Sequence, residues 1–356
     1  MLLTIQPKEF DMFIGVDVDK KSYATTYRDH NGEGRSLKMP ASPEYFYRYF
    51  EKRFPGKRLL FTYEAGPTGY LLHDYLESQG ETCIMVHPPG IPRASNDRVK
   101  TNRLDSLKLA EQSKAGQLKG IRVPTEPYRE LRHLTELRAQ YAQDQRAAKQ
   151  RIKSLLLFEH IELPKWAGST AWTASYRRAL SEVPLKETLR FKLDMLLKDL
   201  NRARWDLLIM LRKLRSFSRQ QEAIQKNLGF LESIPGFGFI VSTYLLARIG
   251  DPEHLGNISE LGAFTGVVPS EDSTGEDIQR GSITHMGDRL ARSLLIEAAW
   301  VAIRKDTELR QFFERLRAKR RGPGAKGSKI AIVAVARKLT HRVYRVLKDQ
   351  RPYVMH

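Results

Sequence analysis

A chain of 356 residues with 60 Lys and Arg against 41 Asp and Glu carries a formal charge of +19. So large an excess favours a polyanionic partner, nucleic acid ahead of an anionic membrane surface. One cysteine excludes an internal disulfide and a cysteine zinc site, and the nine histidines are scattered without ligand spacing. No run approaches 18 apolar residues, and the opening MLLTIQPKEF lacks the basic-then-apolar order of a secretion signal. No membrane role and a reduced, cytoplasmic setting are expected.

Segment 12–20, MFIGVDVDK, reads as a buried strand through Phe13, Ile14, Val16 and Val18. Desolvating an unpaired carboxylate is costly. Asp17 therefore either meets a cation, a metal included, or ends the strand and caps the turn before Lys20-Lys21-Ser22. A second strand is expected over 22–28, a hairpin turn at Asn31-Gly32 and a third strand over 35–39. Ser42 caps a helix over 43–52. A strand over 58–64 ends in Glu64, and after Ala65-Gly66-Pro67 an amphipathic helix over 68–79 closes at Gly80. With a strand over 82–86, this order belongs to a mixed α/β sheet. Asp17 and Glu64 both close strands, so they converge if those strands are neighbours. In VKTNRLDSLKLAEQSK, 99–114, Asp105 falls in the first helical turn, where an acid also complements the helix dipole. Asn102, three residues earlier, shares its face.

The middle reads as two long helices. One covers 128–160 with a stripe of Leu131, Leu134, Leu137 and Tyr141 surrounded by Arg and Lys. The other covers 185–226 with Leu189, Leu193, Leu196, Leu200, Leu207, Leu211 and Leu214 near heptad spacing. They form either an antiparallel hairpin packed within the chain, or a coiled-coil arm that dimerises the protein and presents cations to nucleic acid. Further on, Pro235-Gly236-Phe237-Gly238 lies between two apolar helices. Gly236 and Gly238 there suit a helix-hairpin-helix whose backbone N–H groups approach a phosphate, or a tight connection without a ligand. A hydroxyl-rich loop at 270–275 precedes Arg280 and a helix over 289–303. The tail from 315 to 351 is basic, with Arg317, Lys319, Arg320 and Arg321 ahead of a Gly-Pro-Gly connector and the apolar run 330–335. These cations suit phosphate contacts.

The words IGVDVDK, YEAGPTGY and KTNRLDSLKLA together resemble the N-terminal domain of a group of bacterial insertion-sequence transposases related to the pilin-gene invertase. IPGFG, VVPSEDSTGE and RGSITHMGDRLARSLLIEAAW resemble the second domain of the same family. The resemblance implies an α/β RNase H-like (RuvC-like) domain over 1–125 and a helical coiled-coil arm over 126–228. A mainly α C-terminal domain with the helix-hairpin-helix, serine loop and basic tail covers 229–356. It places catalytic, metal-binding carboxylates at Asp17, Glu64 and Asp105, with Mg²⁺ or Mn²⁺ as cofactor. The fourth position falls on Asn102, where the family usually has Asp, and the lost charge should weaken metal affinity. Clustered carboxylates repel unless cations neutralise them, and paired divalent ions about 4 Å apart can clamp a phosphodiester. The family's serine nucleophile falls on Ser273 or, one residue on, Thr274; Ser273 is preferred, and His285 stands where many relatives have Lys. DNA, a structured guide (bridge) RNA and a homo-oligomer, dimer or tetramer, are the implied partners. Two rivals are a Holliday-junction-resolvase-like metal nuclease that leaves Ser273 unused, and a non-catalytic nucleic-acid-binding protein.

Overall fold

The computed structural model describes residues 2–3, 5–91, 101–163, 172–274, 277–283, 286–319 and 326–355. The chain divides into two compact units, Met1–Pro124 and Thr125–His356.

The first unit is a mixed sheet with helices on both faces. In chain order it runs β1 (Leu2–Leu3), β2 (Met12–Val18), β3 (Ser22–Arg28), β4 (Gly34–Pro40), α1 (Pro43–Arg53), β5 (Leu59–Glu64), α2 (Leu71–Ser78), β6 (Thr82–Val86), α3 (Asn102–Lys114) and β7 (Gly120–Ile121). The spatial order is β1-β7-β6-β5-β2-β3-β4. β2 pairs parallel with β5 and antiparallel with β3, and β5 pairs parallel with β6. The two-residue strands β1 and β7, too short to carry an alternation, were not expected from the sequence.

Pleat alternation sorts the side chains of β2 between two cores. Met12, Ile14 and Val16 join Phe46 and Phe50 of α1, Phe61 and Leu76 on one face. Phe13 joins Phe10, Leu60, Ile84 and Leu109 of α3 on the other. Both faces are covered, which is why 12–16 is continuously apolar apart from Gly15. Gly15 is where α3 comes closest. A Cβ there would collide with the carbonyl oxygen of Ser106 and lie 2.5 Å from the Ala110 nitrogen and 2.9 Å from the Leu109 Cβ. Hydroxyl pairs pin the helix beside that contact, Thr26 to Ser106 at 2.9 Å and Ser113 donating to Thr62 at 2.7 Å.

The second unit is mainly helical. It comprises α4 (Glu126–Phe158), α5 (Ala174–Glu182), α6 (Glu187–Gln220), α7 (Glu222–Glu232), α8 (Phe239–Ile249), α9 (Ile258–Thr265), the hairpin β8 (Pro269–Thr274) and β9 (Asp277–Ile283), α10 (Arg289–Lys305), α11 (Thr307–Lys319) and α12 (Lys326–Lys348). No described helix is long and apolar enough to cross a membrane.

The helix expected over 185–226 is two helices, broken where Gln221 leaves helical geometry (φ −110°, ψ 97°). The buried positions of α6, Leu193, Leu197, Leu200, Ala203, Met210, Leu214 and Phe217, fall at steps of three, four and seven. Ile152 and Leu155 of α4 share a core with Leu193, Leu197 and Leu200, while Thr135 and Ala139 near the other end of α4 lie against Leu214. The two helices are thus antiparallel and pair within the chain, as in the hairpin alternative. On α4 the buried stripe is Tyr128, Leu131, Thr135, Ala148, Ile152 and Leu155. Leu137, expected on it, is exposed.

Much of the basic tail is folded structure. α12 buries Ile332, Val335, Leu339 and Val343. Arg342 donates to Asp306 at 2.7 Å and to Glu308 at 3.1 Å, and Lys338 to Glu308 at 2.8 Å.

Gly15→Ala should lower the stability of the first unit by about 1–3 kcal/mol, the usual cost of overpacking, since backbone rather than a flexible side chain opposes the new methyl. Chemical denaturation checks it; an unchanged midpoint would mean that α3 does not rest on Gly15.

Candidate active site

Val16 and Tyr63 are the last paired positions of the parallel strands β2 and β5. Asp17 and Glu64 each lie one residue beyond, side by side at the carboxyl ends. Alternation puts both on the face of Gly15 and Thr62, the face that α3 covers. Both side chains are half-buried. In the following turn the Asp19 carboxylate accepts the Lys20 N–H at 2.7 Å.

α3 runs antiparallel to β2, because Leu109 packs near the start of the strand with Phe10 and Phe13 while Ser106 lies over Gly15. Its first turn is therefore directed toward the Asp17 end. The sheet-facing residues are Ser106, Leu109, Ala110 and Ser113. One turn back along that stripe lie Asn102 and Asp105. Thr101 holds this turn, its hydroxyl accepting the Leu104 N–H at 3.3 Å and its carbonyl the Asp105 N–H at 3.0 Å. Asp105 is half-buried and Asn102 exposed.

Asp17 and Glu64 thus share an edge, with Asp105 directed to it. Among the described residues, however, no three Asp, Glu, His or Cys side chains are grouped closely enough to hold one metal ion. The donor types, carboxylate oxygens and the Asn102 amide oxygen, fit a hard divalent cation.

Ser273 was expected in a loop, and the structure places it in a strand. β8 and β9 pair antiparallel with Ser273 opposite Ile278, Thr274 opposite Asp277 and Glu271 opposite Arg280. The polar run hid the strand, which lacks an apolar face to betray its period. Gly275 and His285 lie outside the described residues.

The base of this hairpin is interlocked. Gly266 (φ +66°) ends α9 and Gly287 (φ +83°) follows β9. A Cβ on Gly287 would lie 2.6 Å from the Ala263 oxygen and 3.0 Å from the Gly266 nitrogen. The buried Arg292 donates to the carbonyls of Gly266 at 3.3 Å and Met286 at 3.0 Å. Asp288 accepts from the Leu290 and Ala291 N–H groups at 2.9 Å each, from the Tyr244 hydroxyl at 2.9 Å and from Arg248 Nε at 2.9 Å. Burial, reinforced by the Asp288 charge, pushes the Tyr244 hydroxyl well above its ordinary pKa. Gly15, Ser106, Gly266, Gly287 and Arg292 were missed by the sequence reading. The small residues Ser106, Ala110 and Ser113 at helical spacing were the available signal for the first pair.

The two glycines of the 235–238 turn differ. Gly236 (φ +89°) presses on α10, where a Cβ would collide with the Ala298 carbonyl, so packing accounts for it. Gly238 is exposed at the N-cap of α8 with open space before it. In the basic tail, Lys319 is exposed and Arg317 pairs with Glu314 at 3.4 Å; Arg320 and Arg321 lie outside the described residues.

Residues 14–161 match a transposase model of the DEDD IS110 type, and residues 229–314 match the transposase IS116/IS110/IS902 family. A Sinorhizobium fredii protein named as a transposase (y4qE) is 29% identical across 96% of this chain and 90% of its own length. The transposase for insertion sequence element IS1533 of Leptospira borgpetersenii is 23% identical across 96% and 97%. The pilin gene-inverting protein of Moraxella bovis is 30% identical across 36% of this chain and 39% of its own. A mixed sheet ending in paired acids, followed by a mainly helical unit with these matches, defines a DNA recombinase of the transposase class. Over these two regions the chain is similar to the IS116/IS110/IS902 transposase family.

Gly287→Ala should loosen the hairpin base, because a methyl at φ +83° meets three backbone atoms. Hydrogen exchange at the Gly266 and Asp288 amides, which donate to Gly262 at 3.1 Å and Phe264 at 2.8 Å, should accelerate. Unchanged protection would remove the glycine crossing as the anchor.

Proposed function

We propose that the chain catalyses DNA strand cleavage and exchange for an insertion sequence, with the carboxylates Asp17, Glu64 and Asp105 in one unit and the nucleophile Ser273 in the other. The observation that carries this reading is the placement of Asp17 and Glu64 on adjacent parallel strand ends, under the face over which α3 directs Asp105 and Asn102. DEDD-type transposases use divalent metal ions in general. Here Asp17, Glu64 and Asp105 would hold Mg²⁺ or Mn²⁺, with the Asn102 amide oxygen as a neutral fourth donor. Such an ion neutralises the acids and polarises a phosphodiester oxygen.

Ser273 attacks phosphorus through its hydroxyl oxygen. A serine–phosphate ester forms, the P–O bond to one strand end breaks, and the serine proton balances the released hydroxyl. Attack by the hydroxyl of a second strand end reverses the step and completes exchange. Arg280, paired opposite Glu271 in the same hairpin, is assigned to charge stabilisation. Gly238, Arg317, Lys319, Arg320 and Arg321 are assigned to phosphate contacts, as is Gly236 through its backbone. Transposases act on DNA and commonly work as oligomers; a homo-oligomer and a structured guide RNA complete this reading.

Asn102→Asp adds a charged hard ligand and should raise Mg²⁺ affinity, read by calorimetry, while Asp105→Ala should lower it. Equal affinity in Asn102→Asp and the unsubstituted protein removes residue 102 from the site. On a suicide DNA substrate Ser273→Ala should form no covalent adduct, whereas Thr274→Ala should keep it, with the linked residue mapped by mass spectrometry. An adduct on Thr274 moves the nucleophile by one position. Strand cleavage without any adduct replaces the serine mechanism with the resolvase-like nuclease.

A further inference from the structure

Along α6, on the side away from its buried heptad positions, a basic surface surrounds one large exposed aromatic. Between α5 and α6 lies a groove of about 800 Å³ whose lining includes Arg177, Lys198, Asn201, Arg202 and Trp205. Trp205 is 57% exposed. Three carboxylates near this surface already hold partners: Asp194 accepts from Arg190 at 2.7 Å, Glu182 from Arg178 at 2.7 Å, and Asp206 lies 3.9 Å from Arg202. Arg177 donates to the Trp172 carbonyl at 2.5 Å. Among the described residues no carboxylate pairs with Arg177, Lys198, Arg204, Lys149 or Lys153.

Lys149, Lys153, Arg177 and Arg204 crowd one another. Partial burial, together with Arg204, Lys153 and Arg177, lowers the Lys149 pKa, and burial with Arg177 does the same to Arg204. Holding like charges together disfavours the charged forms, and an anionic ligand relieves that cost. Steps of seven from Lys198 lead to Trp205, Arg212 and Arg219 on one side of the helix, about 30 Å at 1.5 Å per residue. Arg212 and Arg219 line a second groove with Arg215.

We propose that this face of α6 binds an unpaired nucleic-acid strand, its phosphates on Arg177, Lys198 and Arg212 and one base stacked on Trp205. The proposal rests on the nucleic-acid reading of the chain given above and assigns it a site in the helical hairpin, apart from the carboxylates and Ser273. Phosphate contacts alone would serve a duplex equally well. The indole selects the unpaired strand, because a base offers its face only when unstacked from its neighbours.

The test is equilibrium binding of fluorescein-labelled single-stranded RNA, single-stranded DNA and a matched duplex to the full chain, by anisotropy. Trp205→Ala should weaken binding of one or both single strands by roughly 5- to 150-fold, the range for one stacked base, with duplex affinity unchanged and Trp205→Phe retaining most of it. The arm that responds names the strand, RNA or DNA. Lys198→Gln with Arg212→Gln should reduce the slope of log K against log salt by about 1.4 on single strands. Single-strand affinity and salt slope unchanged in these variants, while the unsubstituted protein binds, overturns the groove and leaves the transposase reading standing. Equal losses on single strand and duplex overturn the stacking contact. A changed oligomer mass with unchanged affinity makes the face a protein interface and overturns the proposal. Failure of the unsubstituted protein to bind any nucleic acid overturns both readings.

Discussion

The absence of a side chain at Gly15 is the constraint on which the carboxylate site depends. With nothing but backbone at that point of β2, α3 lies against the strand at Ser106 and Ala110. The approach is closed by hydroxyls rather than aliphatic groups, Thr26 with Ser106 and Ser113 with Thr62. Buried hydroxyls require partners, so each pair specifies one axial position for the helix. That position, with the antiparallel direction of α3, decides that Asp105 and Asn102 are directed to the strand ends carrying Asp17 and Glu64. A helix one turn higher or lower would leave Asp105 as an ordinary first-turn acid.

The second unit uses the same device elsewhere. Gly236 lets the turn between α7 and α8 rest on α10, and Gly266 and Gly287 let the two ends of the β8–β9 hairpin cross. Arg292 is buried under that crossing with carbonyl oxygens as acceptors. Asp288 joins the start of α10 to Tyr244 and Arg248 of α8. The hairpin that carries Ser273 thus rises from a densely hydrogen-bonded base. The serine step proposed above would need such a positioned backbone, because small misplacements of reacting atoms cost large factors in rate.

The cations of this chain divide by what surrounds them. In α12, Arg342 and Lys338 are held by Asp306 and Glu308, and Arg342 also lies 4.4 Å over the Tyr353 ring. They fasten the C-terminal helices. On α6 the charges outnumber their acids and stand beside exposed apolar surface. A net charge of +19 therefore says less about binding than the local pairing of each cation.

Much of the first unit was legible because local rules and tertiary demands agree there. Alternation gave the strand 22–28 and an apolar run the strand 82–86, both at the bounds observed, and Ser42 does accept the Tyr45 N–H as the cap of α1. Heptad leucines announced α6, and the acids at the ends of two apolar strands announced a shared edge. What the sequence could not determine were contacts between segments distant along the chain. It did not show that α4 would cover the heptad face of α6, that Gly236 would be filled by α10, or that Ser273 would stand in a strand. Periodicity and capping are properties of neighbouring residues and can be read from their order. Which backbone a glycine admits, and which partner a hydroxyl or a cation finds, is settled only when remote segments pack.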